Sequence, residues 1–247
     1  MIIDDIFAFS VATEIIKDDD IGPCSIDECT QRQDWPKWKD TIQAELNSLG
    51  KKSVFGLIVP TPPNVNLVGY KWVFTRKHNE KNEIVSHKAR LVAQGFSQKP
   101  GIDYVETYSR VMDTNMFCYL ISLAVSKKLE MRLMDVITTY MYGELDTYIY
   151  MKVPAGLKKP KAARNKPRGM FSIKLRRSLY GLKQSGRIWY NRLMAVYVDN
   201  MNLIGTPEEL QKTVDYFKRE FEMTDLGKTK YCLGLQIDHS ANGILVH

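Results

Sequence analysis

Asp199 and Asn200 sit between two apolar runs, Ala195-Val196-Tyr197-Val198 and Met201-Asn202-Leu203-Ile204-Gly205. Such a pattern predicts a β-hairpin with acidic chemistry at its tip. Asp135 closes another apolar run, Leu133-Met134-Asp135-Val136. Carboxylates at the tips of neighbouring strands can hold two divalent metal ions for phosphoryl or nucleotidyl transfer. Taken alone, an Asp-Asn pair between apolar runs is more often just a hairpin turn. These residues by themselves leave both readings open.

The segments around them form an ordered set. Lys88-Ala89-Arg90-Leu91-Val92-Ala93-Gln94-Gly95-Phe96 comes first, then Gly101-Ile102-Asp103-Tyr104 and Glu106-Thr107-Tyr108-Ser109. Asp135, Ile149-Tyr150-Met151, Ser178-Leu179-Tyr180-Gly181-Leu182-Lys183-Gln184, Trp189-Tyr190 and the Tyr197 run follow. In this order the set closely resembles the reverse transcriptase domain of Ty1/copia-type retrotransposons, from about Trp35 onward.

The resemblance implies an α+β fold, the fingers and palm of a right-hand polymerase with a partial thumb. It implies RNA-directed DNA synthesis with two Mg²⁺ ions, an RNA or DNA template–primer and a deoxynucleoside triphosphate. Asp135 and Asp199 take the place of the metal-binding aspartates. Asn200 stands where the family has a second acid; an amide oxygen can ligate a hard cation but brings no charge. That change alone implies weak activity, not none. Lys88 and Arg90 would reach the triphosphate, Arg90 as a bidentate fork and Lys88 as a point charge. Tyr140 would close the floor of the nucleotide pocket against a 2′-hydroxyl; a core aromatic is the competing reading. Gly181 and Gln184 resemble the segment that contacts the nascent base pair, with Lys183 and Arg187 toward template phosphates.

One departure is more serious than Asn200. The family places a few tens of residues between the Trp-Tyr pair and the Tyr-Val-Asp hairpin. Here six residues separate Tyr190 from Tyr197. At about 3.3 Å per extended residue they span roughly 20 Å, too little to replace a palm strand. The expectation is a palm damaged by an internal deletion, with Leu193 to Val198 disturbed. Arg110, Cys118 and Thr139 also depart from the usual pattern. The chain reads as the translated remnant of an element that stops before a connection and ribonuclease H domain. Two other classes stay open: a non-enzymatic nucleic-acid-binding remnant and a translated pseudogene fragment without function.

The elements that must position these residues follow from spacing. Residues 1–33 read as a loosely ordered lead-in. Asp34 is placed to cap a helix with Trp35, Trp38, Ile42, Leu46 and Leu49 on one face and Gly50 as its stop. Tyr70, Trp72 and Phe74 alternate with Lys71, Val73 and Thr75 as in a half-buried strand. A turn at Asn79 to Asn82 leads to a second strand near Lys88 to Gln94, with Lys88 and Arg90 on the face opposite Ala89 and Leu91. Phe117, Leu120, Ile121, Ala124 and Val125 predict an inward helix face. Residues 155–170 read as a solvated basic loop. A helix near Ser185 to Leu193 precedes the hairpin. Thr206-Pro207-Glu208-Glu209 is a capping box, and the last two apolar runs predict a terminal hairpin. The domain plan is fingers over about 34–130, palm over 131–205 and partial thumb over 206–247.

With 247 residues, the chain is long enough for a sizeable core, and its net charge of +7 suits a polyanionic partner. No apolar run approaches membrane-spanning length, and the start lacks the order of a signal peptide. Cys24, Cys29, Cys118 and Cys232 lack the spacing of a zinc site, so reduced thiols and no disulfides are expected in a cytoplasmic or nuclear protein.

Overall fold

The computed structural model describes residues 22–79, 81–109, 114–158, 167–193, 200–240 and 243–247. It is a mixed α+β structure, with five α-helices and several small sheets among those residues. Contacts divide it into two units. One holds the described residues through Thr107 together with Tyr140–Ser185; the other holds Tyr108–Thr139 and Gly186–His247.

The first unit is built on a long amphipathic helix. A short helix α1 (Ile26–Thr30) is capped by the Ser25 side chain and buries Cys29, so the expected loose lead-in carries structure there. Helix α2 (Trp35–Lys51) buries Trp38, Ile42, Leu46 and Leu49, the face its spacing predicts. Its ends differ from the reading. Asp34 occupies the cap position but makes no capping bond. Its carboxylate instead accepts from Arg76 at 2.5 Å and Arg32 at 3.3 Å, with the His87 ring nitrogen 3.4 Å away. Gly50 lies inside the helix, and the left-handed turn falls at Ser53, with φ 55°.

Strands β3 (Tyr70–His78) and β4 (Ile84–Ala93) form the expected hairpin, with Trp72 opposite Leu91 and Val73 opposite Arg90. Helix α2 reaches β4 through Glu45, whose carboxylate accepts the Leu91 amide at 3.2 Å. Burial pushes the Glu45 pKa up. A four-stranded sheet in the order β1 (Phe55–Pro60), β7 (Phe171–Leu175), β6 (Tyr150–Lys152), β2 (Leu67–Val68) completes this unit. One core joins Trp38 and Leu49 to Phe74, Leu91, Met151, Ile173 and Leu179.

The second unit centres on β5 (Glu130–Val136), with β8 (Asn200–Gly205) on one edge and β9 (Met223–Lys228) on the other, both antiparallel. Helix α3 (Thr114–Lys127) buries Phe117, Ile121 and Ala124, but Val125, expected inward, is 43% exposed. It packs with Met131 and with the terminal strands β10 (Tyr231–Cys232), β11 (Leu235–Ser240) and β12 (Gly243–Val246). Helix α4 (Ser185–Leu193) has the bounds read from sequence. Helix α5 (Pro207–Glu220) packs Val214 on Met134 and Met201.

Of the region expected to be disturbed, Leu193 to Val198, Leu193 is the last residue of helix α4 and the rest lies outside the described residues, as does the middle of the basic loop, 159–166. All four cysteines are free thiols, with no disulfide among them. Among the described residues no helix is long and apolar enough to cross a membrane.

Candidate functional site

Alternation fixes Asp135. On β5, Met134 and Val136 are buried and Asp135 between them is half-buried. The β5–β8 ladder runs without a break from Glu130 opposite Gly205 to Asp135 opposite Asn200. On its other side Asp135 faces Thr224 of β9. Asp135 therefore stands on the central strand, at the end of the ladder where β8 begins.

β8 is held from its far end. Gly205 leads into Thr206, whose hydroxyl accepts the Glu209 amide at 3.4 Å while the Glu209 carboxylate accepts the Thr206 amide at 3.1 Å. Pro207 opens the helix that carries Leu210 and Val214 back over the sheet. Across β5 the Arg132 guanidinium makes a two-pronged pair with Asp225, one prong at 3.1 Å. Arg132 holds the Asp225 carboxyl below its ordinary pKa. This strand–cap–helix sequence holds β8 at its C-terminal end.

Asp199 and Tyr197 lie outside the described residues. Two divalent ions need several carboxylates converging on a common point. Among the described residues no group of three or more His, Cys, Asp or Glu side chains could hold a metal ion. Asp135 supplies a single negative charge, and its ladder partner is a neutral residue type. Of the two aspartates expected to hold the ions, Asp135 alone is among the described residues.

The other candidates belong to the first unit. Lys88 and Arg90 lie half-buried on one face of β4, with Ala89 and Leu91 buried on the other. The Arg90 guanidinium carbon lies 5.4 Å from the centroid of the Tyr180 ring. Tyr140 meets the same ring edge-on, with centroids 5.3 Å apart and planes at 89°. Arg90 and Tyr140, 50 residues apart in the chain, are thus brought to one aromatic ring.

Gly181 has φ +86°, and a Cβ there would lie 2.2 Å from the Ala93 carbonyl oxygen. At Gly95 a Cβ would lie 2.0 Å from the Gly181 carbonyl oxygen. The Ala93 amide donates to the Tyr180 carbonyl at 2.7 Å. Backbone meets backbone here, and Gly181 is required by that contact within the fold. Gln184 is fully buried. Its amide oxygen accepts from Gln98 at 3.1 Å, and its amide nitrogen donates to the Asp103 carbonyl at 3.0 Å. Gln98 in turn accepts the Lys183 amide at 2.8 Å. Donor and acceptor of Gln184 are both engaged inside the unit. Tyr180 was passed over in the sequence as a site residue. Its signal was its place between Leu179 and Leu182, both buried, which hold its backbone while its ring stays half-exposed.

Residues 53–194 match the family model for reverse transcriptase (RNA-dependent DNA polymerase), more than half of the chain. The Retrovirus-related Pol polyprotein from transposon RE1 of Arabidopsis thaliana is 30% identical over 238 residues, covering 84% of this chain and 16% of that protein. The corresponding polyprotein from transposon TNT 1-94 of Nicotiana tabacum is 31% identical over 254 residues, covering 90% of this chain and 19% of that protein. The transposon Ty1-NL2 Gag-Pol polyprotein of Saccharomyces cerevisiae is 28% identical over 144 residues, 56% of this chain and 7% of that protein. The chain thus spans less than a fifth of the length of these relatives.

Proposed function

We infer the function from one premise: the chain belongs to the reverse transcriptase family, as a domain of the kind found in Ty1/copia-like retrotransposon Pol polyproteins. From it we propose a reverse transcriptase domain that keeps affinity for primed nucleic acid and has lost most or all polymerisation. In this reading β3 and β4 are the finger hairpin, β5 and β8 belong to the palm, and β10 to β12 form a partial thumb. The parent reaction joins a primer 3′-oxygen to the α-phosphorus of a deoxynucleoside triphosphate and expels pyrophosphate. Asp135 and Asp199 would hold magnesium, which would supply a more acidic primer hydroxyl and charge neutralisation at the triphosphate.

Two observations support the loss of activity, and the lesser is that the ladder partner of Asp135 is Asn200. A second acid at that position would add charge beside Asp135, and Asn adds none. The join supports the same reading. Helix α4 ends at Leu193 and β8 begins at Asn200, leaving six residues between them, a reach of about 20 Å. A site loosened by about 1 Å is already poor at this chemistry. What Lys88, Arg90 and Tyr140 retain in this reading is recognition: a fork and a point charge for phosphates, and a ring beside the sugar.

The net charge of +7 supports the retained affinity for nucleic acid. The test uses one primed template for both properties. Poly(rA) with an end-labelled oligo(dT) primer is incubated with the chain, Mg²⁺ and dTTP, then read for complex formation and for extension. Complex without extension is expected. Extension at ordinary polymerase rates, or no complex at low salt, would overturn the proposal.

A further inference from the structure

We propose that Tyr180 is a positioning residue, whose ring sets both the Arg90 guanidinium and the Tyr140 ring, and through them both affinity for a deoxynucleoside triphosphate and preference for its sugar. The inference rests on reading Arg90 and Tyr140 as nucleotide-facing residues. It assigns to Tyr180 a role that neither of them can fill alone.

The geometry has three parts. First, the backbone of Tyr180 is fixed. Its carbonyl accepts the Ala93 amide at 2.7 Å, and Gly181 packs on the Ala93 carbonyl with no room for a Cβ. Leu179 and Leu182 are buried on either side of it. Second, the ring reaches back along β4 from Ala93 to Arg90, whose guanidinium carbon is 5.4 Å from the ring centroid. An aromatic face attracts a guanidinium and favours a stacked plane, which limits a long side chain to a few rotamers. Third, Tyr140 meets the same ring at 89° and 5.3 Å, the edge-to-face arrangement that aromatic quadrupoles favour. One ring thus limits the freedom of two side chains from separate segments. A planar fork already held in place binds phosphate at lower entropic cost than a free one.

The test is retention of labelled dTTP and UTP by the full chain, by equilibrium dialysis, on poly(rA) primed with dideoxy-terminated oligo(dT). The blocked primer makes the measurement independent of any residual polymerisation. Tyr180→Phe keeps the ring and should keep wild-type affinity and sugar preference. Tyr180→Leu should weaken dTTP about tenfold and bring dTTP and UTP close to equal. Arg90→Lys should weaken dTTP similarly. Combined with Tyr180→Leu it should add little, because the two act through one contact. Wild-type behaviour of Tyr180→Leu, loss in Tyr180→Phe, or fully additive losses in the double variant would overturn the proposal. So would a wild-type chain that retains no dTTP, an outcome that leaves its affinity for the primed template intact. If Tyr180→Leu does not melt as the wild type does, Arg90→Lys decides. Wild-type affinity and sugar preference in that variant would overturn the positioning role.

Discussion

Asp135 and Asn200 are partners across an antiparallel ladder, the last pair of the β5–β8 register. Asn200 is neutral, and it is reached through six residues from the preceding helix. Charge and reach change at one place. That coincidence is why the polymerase reading is one of lost activity.

The Gly181 turn gives the sharpest prediction about stability. Gly181→Ala forces a side chain into φ +86° and against the Ala93 carbonyl. The variant should lose about 2–4 kcal/mol, from backbone strain and overpacking together. Denaturant unfolding checks this; a change within about 0.5 kcal/mol would mean that the turn yields more easily than its contacts imply.

His87 predicts a pH dependence. It pairs with Asp34 at 3.4 Å and packs edge-on against Trp38 at 4.6 Å. Burial lowers its pKa against the opposing pull of Asp34, with Lys37 and Arg76 lowering it further. Because the folded pKa lies below the unfolded value of about 6.5, the unfolded chain takes up a proton first as pH falls. The His87 contribution is therefore complete above about pH 7 and is lost as pH falls through 6.5 toward the folded value. Melting temperature between pH 7.5 and 5.5 should fall more steeply in wild type than in His87→Gln. Parallel curves would remove His87 as the cause.

Binding to primed nucleic acid should be weak, independent of sequence and strongly dependent on salt. On duplex DNA each neutralised phosphate contributes a slope of about −0.9 in log K against log salt. A titration from low to high salt gives the number of contacts, and a flat line would exclude electrostatic binding. Charge reversal at Lys88 should lower the slope without changing sequence preference.

Local periodicity carried much of the fold. Trp35 to Leu49, the alternation from Tyr70 to Phe74, the capping box at Thr206 and the terminal hairpin can all be read without knowing the partners they pack on. The four-stranded sheet of β1, β7, β6 and β2 could not be read this way: its strands are two to six residues long and their partners lie far away in the chain. Asp34 looks like a helix cap, but a doubly basic neighbourhood from β3 and α1's exit draws its carboxylate away. Gly50 looks like a stop, yet a glycine in a right-handed helix costs only about 1 kcal/mol, and the helix continues to Lys51. In the candidate site the two faces of β4 were legible from alternation, and Asp135 from its place in an apolar run and the family resemblance. The burial of Gln184 was not, because its partners Gln98 and Asp103 come from a loop with no period of its own.

The most direct measurement is primer extension by Asn200→Asp beside the wild-type chain, on poly(rA) primed with oligo(dT), with Mg²⁺ and dTTP. The substitution restores the charge beside Asp135 and leaves the six-residue join unchanged. The account predicts no more than trace extension by either protein, because the reach into the hairpin is lost as well as the acid. Extension by Asn200→Asp at rates ordinary for polymerases would contradict it, and would show that the short join leaves the site intact.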